Sequence, residues 1–188
     1  RCPAEEVILS RVHQAEHSAG LQHAPHLAQR GVRLAYHHHM GTVVESEADI
    51  DRLMAVTGPE VGLLLDTGHL TYAGGDPLAV ARRHGPRINH VHCKDVRGAV
   101  LAQAKAGNWS FLKAVLAGVF TVPGDGMVDY KALLPILVEH GYHGWLVVEA
   151  EHKLGQTVLL LQEYGPQFPL VQDQEVVVFS LYLKKMVN

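Results

Sequence analysis

Asp66, His92 and Glu149 each close a short apolar run, and together they offer most of a divalent-metal site. The LLL run at 63–65 is followed by Asp66, Thr67, Gly68 and His69. The run ending at Val91 is followed by His92, Cys93, Lys94 and Asp95, and the LVV run at 146–148 by Glu149, Ala150 and Glu151. Isolated ionisable groups in a sheet interior are costly unless paired or bound to a cation. Here they recur at the carboxyl ends of successive strands, the face on which α/β barrels build their active sites. Carboxylate with neutral imidazole suits Mn²⁺, Co²⁺, Fe²⁺ or Zn²⁺, and the set lacks the thiolates of a structural zinc site. A single His or Asp at a strand end is more often structural than a ligand. Three strands in order, each delivering a ligand type, favour the metal.

For a fourth ligand the triplet His37, His38, His39 is the nearest source. His37 and His39 share one face of their strand and His38 points to the other; His37 is expected as the ligand or its nearest neighbour, with His39 behind it. Glu45 reads as a surface carboxylate near a helix cap. Cys93 should turn away from the metal if His92 faces it, because neighbours alternate sides. Lys94 beside the metal is a candidate for acid/base work or a partner for Asp95 or Glu151. In 122–126 (VPGDG) the glycines allow close backbone approach to a ligand, and Asp125 is either a turn residue or a substrate contact.

To position these groups the chain must alternate strands with helices. Buried-strand runs fall at 32–37, 61–65, 88–93, 119–122 and 145–148, each nearly continuously apolar as in a parallel sheet covered on both faces. Between them, 46–58 opens with Ser46 and Asp49 in capping-box spacing. The segment 76–86 has Asp76 as cap and Pro77 at the first helical position. The third, 129–141, has Asp129 as cap and Gly141 as stop. This rhythm predicts βα units. Residues 1–31 read as helix without a preceding strand, and the rhythm fades after 151. We therefore expect a domain over 1–151 and a divergent tail over 152–188.

A chain of 188 residues, 47% hydrophobic and 19% charged, fits one globular domain. Its net charge of −3, with scattered Lys and Arg, leaves no field for phosphate backbones, so no nucleic acid partner is expected. Cys2 and Cys93 are too few and too far apart for a disulfide framework or a CxxC motif, which predicts a reducing, cytoplasmic setting. No apolar run is long enough to span a membrane, and 1–10 lacks the order of a signal peptide. The absence of an initial Met points to a fragment. Most of the 14 His, among them His13, His17, His23 and His26, fit solvated helix positions.

The segments YHHHMGTVVE, LLLDTGHLTYAGGDPLAV, INHVHCKDVR, NWSFLKAVLAGVFTVPGDGMVDY and GWLVVEAE resemble the inosose dehydratase branch of the xylose-isomerase-like TIM barrel family, over residues 32–151. DTGH and HxKD occur widely among sugar isomerases and epimerases of that fold, whereas YHHHMGT and SFLKAVLAGVFTVPGDG are specific to the dehydratase branch. The resemblance implies an α/β fold, a partial (β/α)8 barrel lacking its N-terminal strands, with the five runs as the fourth to eighth strands. It implies Mn²⁺ or Co²⁺ held by Asp66, His92 and Glu149, with His37 where related isomerases carry Glu. It also implies elimination of water from 2-keto-myo-inositol, a cyclic polyol ketone. Lys94, His69 and Glu149 would then handle protons, while His39, Asp125 and Glu151 would contact the substrate. Keto-sugar isomerisation or epimerisation, or an inactive fragment, are the alternatives, and a homo-oligomer is compatible with either.

Overall fold

The structure is a computed structural model and describes residues 21–148. Glu149, Glu151, Cys2 and the 152–188 tail, each carrying an expectation above, lie outside the described residues. Helix α1 (Ala24–Gln29) leads into strand β1 (Leu34–His37), followed by α2 (Glu47–Val56), β2 (Val61–Asp66), α3 (Thr67–Ala73) and α4 (Pro77–His84). After a single 3₁₀ turn come β3 (Ile88–Cys93), β4 (Asp95–Val96), α5 (Gly98–Ala106), α6 (Phe111–Leu116), β5 (Phe120–Thr121), α7 (Tyr130–Glu139) and β6 (Leu146–Val148).

Strands β1, β2, β3 and β6 form one parallel sheet in that order. The capping signals act as expected. Ser46 and Asp49 close a capping box on α2, Asp76 accepts from the Leu78 N–H at the start of α4, and Asp129 accepts from Ala132 at the start of α7. Each satisfies a main-chain donor that the first helical turn cannot. Pro135 lies within α7, close enough to its start for the helix to continue through it.

Two faces of the sheet divide the labour. Tyr36, Leu63, Leu65, Val91 and Cys93 join Ile50, Leu53 and Met54 of α2, Val80 and Ala81 of α4, and Leu133, Leu134 and Leu137 of α7 in one core. Burial of that apolar area is what fixes helices to sheet. The alternate residues face the other way. In the β2–β3 register Leu64 stands opposite His90 and Asp66 opposite His92, and a register shift at Leu63/Leu64 brings the two carboxyl ends level. All six residues of β2 are buried, as a strand covered on both sides requires. Cys93 is 1% exposed on the core side, turned from the His92 face as alternation dictates.

One expectation needs correction. The run at 119–122 is not a strand of the parallel sheet: only Phe120 and Thr121 are extended, and they pair antiparallel with Val96 and Asp95. Gly118 (φ +76°) and Pro123 bracket the run, leaving it too short for a barrel strand, and β6 fills the place beside β3 instead. Four of the five runs therefore make the sheet. His69 lies in the first turn of α3, the helix that Asp66 caps.

Candidate metal and proton-transfer site

Asp66 ends β2 and caps α3, which gives its two carboxylate oxygens different tasks. Oδ1 accepts the His69 main-chain N–H at 2.9 Å. Oδ2 faces a ring of nitrogens: His37 Nε2 at 3.3 Å, His92 Nδ1 at 3.4 Å, Lys94 Nζ at 3.8 Å and His69 Nε2 at 4.0 Å. The carboxylate is fully buried. Burial alone would raise its pKa, but the bonds from His37 and His92 and the charge of Lys94 outweigh that and hold it well below the usual carboxylate range. A buried anion amid imidazoles is the electrostatic setting in which a cation binds. His37, Asp66 and His69 offer ligand atoms within 4.8 Å of one another, and His92 lies nearer to Asp66 than His69 does.

His69 is 3% exposed and its Nδ1 has no hydrogen-bond partner among the described residues. Burial lowers its pKa to about 3, and the nearby Lys94 charge adds to that, against the opposing pull of Asp66. The ring is therefore neutral. Its Nε2 is 3.4 Å from Lys94 Nζ, and its face lies 3.6 Å from the His39 ring. Phe120 and Phe111 close the remaining sides at 5.3 and 5.9 Å, and Lys94 Nζ sits 5.2 Å above the Phe120 ring.

Lys94 reaches this place because position 68 has no side chain. A Cβ on Gly68 would stand 2.5 Å from Lys94 Cγ. Its backbone is pinned as well: Thr67 Oγ1 accepts the Lys94 N–H, lies 2.8 Å from the Lys94 carbonyl and 3.1 Å from that of His92, and meets the buried Tyr130 hydroxyl at 2.6 Å. Asp95 turns the other way and accepts main-chain N–H groups of Val96, Gly124 and Val128, which anchors the 122–126 loop. In that loop Asp125 Oδ2 accepts from Arg97 Nη2 at 3.0 Å and Thr121 Oγ1 at 2.8 Å.

His39 donates Nδ1–H to the Met40 carbonyl at 2.7 Å, so in its neutral form Nε2 is an acceptor. His38 points away from His37, as alternation predicts, and its Nε2 accepts the Asp66 main-chain N–H at 3.1 Å. Burial lowers the His38 pKa to about 4. Of the candidate residues, His37, Asp66, His69, His92, Lys94 and His39 converge; Asp125 braces its own loop. Gly68, Thr67, Tyr130, His38 and the two Phe rings escaped the sequence reading. Only Gly68 carried a signal there, as a glycine lying between Asp66 and His69 in DTGH.

The sequence profile described as xylose isomerase-like TIM barrel matches residues 13–166. The chain is 59% identical over 133 residues to a protein named rhizopine catabolism protein MocC from Rhizobium meliloti, covering 71% of this chain and 41% of that protein. It is 53% identical over 125 residues to a protein named inosose dehydratase from Geobacillus thermodenitrificans (strain NG80-2), covering 66% and 42%. It thus spans less than half the length of these relatives. A solved D-tagatose 3-epimerase-like protein shares the fold, with a TM-score of 0.60 at 17% identity over 84% of this chain and 56% of the other.

Proposed function

Because the chain belongs to the xylose isomerase-like TIM barrel family, we propose that it acts as a metal-dependent inosose dehydratase of inositol catabolism. The reaction removes water from 2-keto-myo-inositol to give a trihydroxycyclohexane-1,2-dione. The observation that carries this reading is the convergence of four nitrogens on one oxygen of a buried carboxylate, Asp66 Oδ2. Relatives carrying the names MocC and inosose dehydratase supply the substrate class.

The donor set fits a divalent cation such as Mn²⁺ or Co²⁺: one ionised carboxylate and imidazole nitrogens, with Cys93 turned to the opposite face. Asp66, His37 and His92 would hold it, with Glu149 following β6. Bound there, the cation would stabilise negative charge developing on the ketone oxygen as the α proton leaves. His69 suits proton transfer better than ligation, because its Nε2 already meets Lys94 Nζ and its ring is walled by His39, Phe111 and Phe120. In the elimination, neutral His69 Nε2 or Glu149 takes the proton from the α carbon. The Lys94 ammonium gives one to the departing β hydroxyl, which leaves as water. The rings of His39, Phe111 and Phe120 shield His69 from solvent, so charge forming beside it meets fixed groups. His39 offers Nε2 to a substrate hydroxyl, and Asp125 and Glu151 are the remaining candidate contacts. Among the described residues no helix is long and apolar enough to cross a membrane; we assign the chain to the cytoplasm.

The test is direct. Purified chain with Mn²⁺ or Co²⁺ and inosose is expected to generate the ultraviolet absorbance of a dione, and Asp66→Ala is expected to lose both metal and rate. Equal metal content in the two proteins would overturn the site. Ketose interconversion without new absorbance would replace dehydration by epimerisation or isomerisation.

A further inference from the structure

His38 takes no part in the chemistry just described, yet it is fully buried and spends its Nε2 on the main-chain N–H of Asp66 at 3.1 Å. An apolar ring in that place would avoid burying a polar group. A nitrogen that accepts carries no proton, so the neutral imidazole has its hydrogen on Nδ1; that atom has no partner among the described residues. The side chain therefore makes one specific bond at the expense of another.

That bond falls at a particular point. The β1–β2 ladder stops at His37 opposite Leu64, and Asp66 is extended (φ −97°, ψ 106°) where the strand turns into α3. Beyond the ladder, the Asp66 N–H has the His38 ring as its acceptor. Oδ1 is tied to His69 N–H on the helix side, so His38 supplies a second tie, from the strand side. With its main-chain N–H held by His38 and one carboxylate oxygen held by the His69 N–H, Asp66 is left with Oδ2 directed at His37 and His92.

We propose that His38 is a positioning residue for the metal site, fixing Asp66 from the opposite face of the sheet so that Oδ2 points where the cation binds. The proposal rests on Asp66 being a ligand. It also explains why consecutive histidines at 37 and 38 are useful: alternation sends one ring toward the cation and the other behind its principal ligand.

Glutamine and asparagine separate the bond from bulk and polarity, since the Gln amide oxygen falls near the Nε2 position and the Asn oxygen near Nδ1. Mn²⁺ would be titrated into chelator-treated wild type, His38→Gln and His38→Asn, and Co²⁺ visible spectra recorded for each. Expected is a Kd for His38→Gln within about threefold of wild type and an unaltered Co²⁺ spectrum. His38→Asn should bind 10- to 100-fold more weakly, the range on the order of that seen when a ligand's supporting partner is removed, with a shifted spectrum. Wild-type affinity and spectrum in His38→Asn would overturn the proposal, as would equal loss in both variants. Should either variant fail to fold, Asp66 ligation is read in the other: a folded His38→Gln must keep its affinity, and a folded His38→Asn must lose it. No Mn²⁺ binding by wild type would overturn the metal reading and this proposal with it, an outcome distinct from unequal binding among variants.

Discussion

Lys94 and Gly68 form a pair in which an absent side chain does as much as a present one. The lysine stem crosses the first turn of α3 through the space that a Cβ on residue 68 would fill. Gly68→Ala is therefore expected to swing the ammonium off Asp66 and His69 while leaving the proposed metal ligands in place. Alanine favours helix over glycine by up to about 1 kcal/mol, so the fold should be retained. We expect a dehydration rate lower by about 100-fold, the order associated with a misplacement of about 1 Å, with Mn²⁺ content and thermal midpoint unchanged. A rate equal to wild type would show that Lys94 does not act from this position. At this scale the sequence displayed residue types but not their bonds. Asp66, His92 and Lys94 were visible because ionisable groups ending apolar runs are unusual. Thr67 and Tyr130 were not, since a hydroxyl contact spanning 63 positions leaves no mark in local pattern.

Helix α2 shows how an element far from the chemistry contributes to it. Its capping box sets the angle at which the chain leaves β1 and returns as β2, and Glu47 in its first turn accepts from Asp76 N–H and from Arg83 of α4. Ser46→Ala should lower unfolding free energy by about 1 kcal/mol, measured as a shift of the urea midpoint at constant slope. A change below about 0.3 kcal/mol would mean that Asp49 and the exposed ion pairs fix the helix start without the serine. The three amphipathic helices and β1, β2, β3 and β6 were legible because cap, period and stop agree in each. Helix α3 was not, because DTGH resembles a turn until Asp66 is recognised as an N-cap. The 119–122 run misled for the opposite reason. It has strand composition, but Gly118 and Pro123-Gly124 cut it to a two-residue strand paired with β4.

The whole molecule carries buried neutral histidines whose ionisation opposes folding. Burial chiefly depresses the His38 pKa to about 4 and that of His69 to about 3, below the ordinary 6.5. A histidine with a lowered folded pKa contributes stability that is complete above 6.5 and is lost as pH falls toward the folded value, because the unfolded chain takes up the proton first. Chelator-treated protein should therefore lose stability between pH 7 and 5, by roughly 2 kcal/mol from His38. His38→Gln should flatten the slope in urea titrations; an unchanged slope would assign the dependence elsewhere. Asp66, whose pKa is depressed, contributes stability that is full above the ordinary carboxylate range and is lost only as pH falls through and below that range. The parallel α/β architecture was readable from the strand and helix rhythm, while the strand count was not, since burial and pairing decide which apolar runs enter a sheet. The groups around Asp66 Oδ2 come from the neighbouring strands β1, β2 and β3, the first turn of α3 and the residue just after β3, all within residues 34–94. A gene fusion or recombination joint placed outside that interval would transmit this cluster whole, so the cluster is a unit of inheritance smaller than the barrel that displays it.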